Sequence, residues 1–168
     1  MATEKIVSLS AEAKAVAARV GSLRDFLAYL GEHDQCVSWP DPVMPEPDIR
    51  NISVAAGNNV STGPAVIFDK IRGYPGKRIA INVHGSFGNL ALLLGLPKTT
   101  SVRELFFEII RRWGSDKPLL ERVAPEQAPV NENRIDKNIN LYDLLPLYRI
   151  NANDGGFYIA KACVVSRD

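Results

Sequence analysis

The stretch that most constrains this chain is Asn151 to Asp168, reading NANDGGFYIAKACVVSRD. Asn153-Asp154-Gly155-Gly156 is strong turn chemistry, because Gly supplies positive φ and Asx side chains bond the local backbone. Phe157 to Val165 follows, rich in aromatic and β-branched residues, and reads as a strand. A hydrophobic strand needs neighbours to pair with, or it becomes an exposed edge. It is therefore expected to open a further unit, with chemistry in residues beyond it. Alternation puts Phe157, Ile159, Lys161, Cys163 and Val165 on one face, with Tyr158, Ala160, Ala162 and Val164 on the other. Lys161 carries the lone charge of this run. A Lys in an otherwise buried strand is costly unless paired or functional, so it is a pocket candidate. The competing reading is a side chain that snorkels to the sheet edge.

The preceding residues alternate helix and strand signals. Residues 8–20 are Ala-rich and helical in character. Ser22-Leu-Arg-Asp25 resembles a capping box, and Leu23, Phe26, Leu27 and Leu30 recur at helical spacing up to Gly31. Cys36 to Trp39 is a short strand. Pro40, Pro42, Pro45 and Pro47 exclude regular helix or central strand from the next stretch. Asp48 to Ala56 reads as helix, Ala65 to Phe68 as an apolar strand, Gly73 to Gly76 as a turn, and Arg78 to Val83 as another strand. Asn89 to Leu94 is an apolar helix stopped by Gly95. Ser101-Val-Arg-Glu104 is a second capping box, heading a stripe of Leu105, Phe106, Ile109, Ile110 and Trp113, with Gly114 as C-cap. Glu108 lies three and four residues before Arg111 and Arg112, spacing that favours ion pairs. From Ser115 the sequence turns polar and Pro-bearing, a surface strap that ends in one helical turn, Leu141 to Leu145. The expected organisation is a mixed α/β (α+β) domain over 1–114, a strap over 115–150, and the start of an incomplete second domain at 151–168.

Charge and cysteine usage exclude several classes. A formal charge of +1 over 168 residues gives no reason to expect nucleic acid or an anionic membrane as partner. Cys36 and Cys163 alone imply no disulfide framework and a reducing compartment, hence a cytoplasmic protein. No apolar run is long enough to span a bilayer, and the N-terminus has no secretory h-region.

The chemical motifs are each weak. Ile79 to Leu90 runs strand, Gly-containing turn, helix, and Gly85-Ser86-Phe87-Gly88 could place amides around a phosphate. It lacks the third Gly of a dinucleotide fingerprint and the Gly-Lys-Ser/Thr of a P-loop, so a tight turn built from small residues is the better reading. His33 and Cys36 could ligate a metal, but only His84 and Cys163 remain to complete the set, from unrelated segments. Glu126, Glu132, Asp136 and Asp143 lie in the strap, where carboxylates are usually solvated. Arg149 could face a carboxylate substrate, although an ordinary ion pair outweighs that role.

Read in order, Ser22-Leu-Arg-Asp-Phe-Leu27, Gly63-Pro-Ala-Val-Ile-Phe68, Ile71-Arg-Gly-Tyr-Pro-Gly76 and Arg78 to Pro97 resemble the UbiD-like family of reversible aromatic-acid decarboxylases. Ile110-Arg-Arg-Trp113, Ile139 to Pro146 and Asp154 to Asp168 are similar to its branch acting on hydroxyaryl acids such as vanillate and 4-hydroxybenzoate. An acid is expected in that branch where Ala160 stands. The resemblance implies a carboxy-lyase using prenylated FMN with manganese (Mn2+) and potassium (K+), a flavin prenyltransferase as cofactor supplier, and a homo-oligomer. It also implies that residues 151–168 are the first strand of a flavin-reductase-like split β-barrel, which makes Lys161 a cofactor-pocket candidate. The family's catalytic set and metal ligands are expected beyond Asp168, so no catalytic residue and no metal ligand is transferred to this chain, which alone should be inactive. The alternative is a non-enzymatic assembly subunit that pairs through its C-terminal strand.

Overall fold

A computed structural model describes residues 8–113 and 122–159. Helix α1 (Ala11–Arg19) starts at Ser10, whose hydroxyl accepts from the Ala13 amide at 3.1 Å. Helix α2 (Leu23–Glu32) is capped in the same way by Ser22, which accepts from the Asp25 amide at 3.2 Å. Asp25 turns its carboxylate to the Ser22 hydroxyl rather than back to the cap backbone, so half of the expected box forms. Phe26 and Leu30 fall four residues apart on the buried face of α2, as a helical period requires.

Three short strands follow the apolar runs: β1 (Cys36–Ser38), β2 (Ala65–Phe68) and β3 (Ile79–Ile81). Their order is β1-β2-β3, with β1 parallel and β3 antiparallel to β2. The register places Cys36 beside Ala65 and Val66 beside Ile81. Between β1 and β2 the Pro-rich chain makes an irregular turn at Pro45–Ile49, with extended backbone at Glu46 and a cis Glu46-Pro47 peptide. Helix α3 (Arg50–Gly57) continues from it. Helix α4 (Phe87–Leu93) begins earlier than the apolar run implies, because Ser86 caps it through the Asn89 amide. Helix α5 (Val102–Arg112) carries a complete capping box between Ser101 and Glu104. Helix α6 (Leu141–Leu144) is one turn.

The sheet separates two apolar clusters, because strand residues alternate sides. Val66, Phe68 and Ile81 face one way and pack with Val43, Ile49 and Ile71, against Ile52 and Ala56 of α3. Ala65 faces the other way, against Phe26 and Leu30 of α2 and Leu92 of α4. Phe68, Leu30 and Ile49 are fully buried, and each contributes on the order of 1.5–3 kcal/mol by leaving water.

The amphipathic stripe of α5 is present, but only Leu105 is buried; Phe106, Ile110 and Trp113 stay exposed. The described part of the strap holds short 3-10 turns at Pro125–Gln127 and Pro129–Asn131. Beyond α6, Tyr158 meets Tyr148 in one antiparallel bridge, its amide donating to the Tyr148 carbonyl at 3.2 Å. The remainder of the expected terminal strand, with Lys161 and Cys163, and the expected C-cap Gly114 lie outside the described residues.

Candidate functional site

Two sequence candidates prove to be packing elements. In the Gly85–Gly88 turn, three of the four amides that a phosphate would need are already bonded. The Gly85 amide donates to Asn82, Phe87 to Val60, Gly88 to Ser61, and Asn89 to the Ser86 hydroxyl. A Cβ on Gly88 would lie 3.1 Å from the Ser61 carbonyl and 3.2 Å from that of Lys98, so the small residue serves close backbone approach. The seven-residue α4 behind this turn is held in place by Asn89, whose amide nitrogen donates to the carbonyls of Asn82 and Val83, each at 3.2 Å.

The histidines are engaged with aromatic rings. His33 meets Tyr29 edge-on at 4.6 Å, and His84 lies 5.3 Å from Phe26. Burial pushes the Cys36 thiol up from its ordinary range, which keeps it protonated and unreactive. Among the described residues, no group of three or more His, Cys, Asp or Glu side chains is placed to hold a metal ion. Glu126, Glu132, Asp136 and Asp143 are exposed along the strap.

Arg149 takes the role of an ion pair. Its Nη2 lies 2.8 Å and its Nε 3.1 Å from the two carboxylate oxygens of Glu46, while its backbone amide donates to Glu46 at 2.6 Å. These bonds from the Arg149 side chain and amide hold the Glu46 carboxyl down at about 2. The Arg149 guanidinium also lies 6.0 Å from the Phe157 ring, the first residue of the expected terminal strand. Two further bonds run alongside. Tyr74 donates its hydroxyl to the Tyr142 carbonyl at 2.7 Å, and the Ser53 and Tyr148 hydroxyls lie 3.3 Å apart. Together they clasp residues 142–149 onto the α/β domain, so the geometry of this region is that of a junction. Sequence reading missed Glu46 altogether, since a partner 103 residues from Arg149 leaves no periodicity and Glu46 sits among prolines that signal only irregular backbone.

A family model, the N-terminal domain of 3-octaprenyl-4-hydroxybenzoate carboxy-lyase (UbiD), matches residues 27–109. Residues 27–109 belong to the N-terminal domain of the UbiD family. It is 49% identical over 146 residues to a phenolic acid decarboxylase of Sedimentibacter hydroxybenzoicus, covering 87% of this chain and 30% of that protein. A phenolic acid decarboxylase of Bacillus subtilis is 47% identical over 145 residues, covering 86% of this chain and 30% of the relative. The fold agrees with solved structures of the vanillic acid decarboxylase of S. hydroxybenzoicus. The open form with a truncated second component gives a TM-score of 0.73 at 48% identity, over 80% of this chain and 28% of that one. The closed form gives 0.72 over the same shares. The matched portion therefore keeps one fold in both forms. The chain spans less than a third of the length of these relatives.

Proposed function

We propose that this chain is the N-terminal part of a non-oxidative decarboxylase of phenolic acids, of the vanillate and 4-hydroxybenzoate type. The observation that carries the reading is the near-half identity to phenolic acid decarboxylases, sustained over 87% of the chain and joined to the same fold. The whole protein would be a lyase that uses prenylated FMN with Mn2+ and K+, the flavin serving as electron sink for the departing carboxylate. The described residues do not fit that cofactor: three of the four Gly85–Gly88 amides are internally bonded and no metal-ligand cluster forms among the described side chains. The contribution of this chain is accordingly structural. It supplies an α/β domain and a clasped strap leading into residues 151–168, which we assign to the first strand of a flavin-reductase-like split barrel. Lys161 remains a candidate for the cofactor pocket. Homo-oligomerisation, supply of the cofactor by a flavin prenyltransferase and a cytoplasmic location complete the proposal; no helix among the described residues is long and apolar enough to cross a membrane. The alternative of a non-enzymatic assembly subunit is disfavoured, because the named relatives are decarboxylases.

The test compares the 168-residue chain with a polypeptide extended to the length of its relatives. Both are reconstituted with prenylated FMN, Mn2+ and K+, and carbon dioxide release from 4-hydroxybenzoate and vanillate is measured. Release by the extended protein and none by the short chain is expected. A silent extended protein would remove the decarboxylase reading, and an active short chain would remove the placement of the chemistry beyond Asp168.

A further inference from the structure

Helix α5 carries more apolar surface than its own fold uses. At about 100° per residue, Leu105 and Ile109 share one side, and Val102, Phe106, Ile110 and Trp113 form a second stripe beside them. Phe107 extends its far edge. Apolar side chains thus span roughly 200° of the helix, about twice the arc of a helix buried on one side. Leu105 is buried, whereas each member of the second stripe is at least half exposed. Glu104, Glu108, Arg111 and Arg112 fill the remaining arc. There Glu108 accepts from both arginines, and Arg111 also donates to the Ser8 carbonyl at 3.3 Å.

The outer stripe stands across the sheet from the clasped junction. Helix α5 packs on α4, whose Leu92 belongs to the cluster around Ala65. Tyr148 packs on the opposite cluster, with Val66 and Phe68. Residues 142–149 are therefore held on the far side and do not cover α5. The one charge within the apolar arc is Arg103, whose guanidinium lies 5.9 Å from the Phe107 ring.

We propose that this stripe pairs with the same stripe of a second copy, antiparallel about a two-fold axis. Its members recur at four, four and three residues, the spacing of a helix–helix seam. A two-fold interface must be self-complementary, and this one is. Pairing centred on position 108 sets Phe106 against Ile110 of the second copy, a large ring against a smaller branched side chain. The same register sets Arg103 against Trp113 of the second copy, so the lone charge meets the largest aromatic face. An acidic partner would satisfy Arg103 alone and leave the stripe without a match. Half or more exposed, the stripe and Phe107 offer roughly 500 Å2 per copy, given the 150–250 Å2 that one aromatic side chain can bury. Two copies reach about 1,000 Å2, the lower bound of a specific interface, so the dimer is weak and reversible. Dilute chain is monomeric, and Phe106 adds little to its stability. The inference names a surface for the homo-oligomer proposed above and is independent of the decarboxylase reading.

Sedimentation equilibrium of the full chain tests it, from about 5 to about 500 μM, the range in which a small interface associates. The mass should rise from 18.5 kDa toward twice that value. Phe106→Glu should weaken association about tenfold or more, as a charge at the centre of an apolar seam does. Leu23→Glu, at an equally exposed apolar residue of α2, should leave it unchanged. Both positions are exposed, so circular dichroism should show both variants folded. Register is read with single-cysteine chains, Phe106→Cys and Ile110→Cys, in a Cys36→Ser, Cys163→Ser background. A short bis-maleimide should link the mixture faster than either chain alone, in the 168-residue protein and in the extended one. A monomer at every concentration overturns the proposal, as does association untouched by Phe106→Glu or weakened equally by Leu23→Glu. Linking of Phe106→Cys alone as fast as in the mixture overturns it too. So does failure of the mixture to link in the extended protein, since its own polypeptide would then cover α5. Carbon dioxide release by the extended protein is scored separately, so either reading can fail alone.

Discussion

At the residue scale, a carboxylate and a glycine show how position sets cost. The fold holds Glu46 at about 2 against an ordinary 4.5, chiefly through the Arg149 side chain. A depressed carboxylate means that the folded state favours the ionised form. The clasp is therefore complete above pH 4.5 and is lost as pH falls towards 2. The Arg149 amide, which donates to Glu46, should titrate in NMR spectra with a midpoint near 2, and Glu46→Gln should remove that titration. A midpoint at 4.5 would show that the pair is not formed in solution. Gly95 illustrates a different cost. Its φ is +69°, and a Cβ there would lie 2.5 Å from the Cα of Ala13 in α1. Gly73 has a similar φ of +83° with open space around it. Gly73→Ala should cost about 1–2 kcal/mol, from backbone conformation alone. Gly95→Ala adds a backbone overlap and should cost on the order of 2–4 kcal/mol. Equal urea midpoints for the two variants would contradict the close approach of α1 to the α4–α5 connection.

At the element scale, α5 separates what a helix owes to its own sequence from what it owes to contacts. Its capping box is local, so Ser101→Ala should cost about 1 kcal/mol in thermal unfolding. Leu105 is 2% exposed and Phe106 57%, although they are adjacent. Leu105→Ala should cost roughly 2–4 kcal/mol and Phe106→Ala well under 1 kcal/mol in this chain. A large loss at Phe106 would mean that the outer face of α5 is covered. This helix also marks what the sequence made legible. Periodicity and capping residues predict that α5 exists, where it begins and that Glu108 pairs with Arg111 and Arg112, because those signals act within a turn or two. They show which face is apolar but not whether anything lies against it, which is why Trp113 reads as part of the apolar stripe and stands 83% exposed. Strand β2 falls on Ala65–Phe68 as its apolar run predicts, yet its parallel pairing to β1 and antiparallel pairing to β3 leave no trace in composition.

Across the whole molecule, the two clusters flanking the sheet and the strap behind them differ in how they are held. The α/β body rests on buried side chains such as Phe68, Leu30 and Ile49, so its opening approaches global unfolding. Residues 122–145 expose most of their side chains, and the strap is retained largely by the bonds of Tyr142, Tyr148 and Arg149 to the body. Local opening of the strap should therefore precede unfolding of the body, and removing the Arg149 fork should widen the gap. In Arg149→Met, cleavage within 122–159 by a nonspecific protease at pH 7 should accelerate roughly five- to tenfold, since bonds to a charged partner are lost from an already shallow attachment. Urea unfolding followed by fluorescence should move little. Trp39 reports on the body, where its ring lies 6.3 Å from Phe68, while Trp113 is solvent-exposed before unfolding and after it. A midpoint that falls in step with the protease rate would instead mean that strap and body unfold as one unit. The clasp would then be part of the domain it holds, and the junction into residues 151–168 would be rigid.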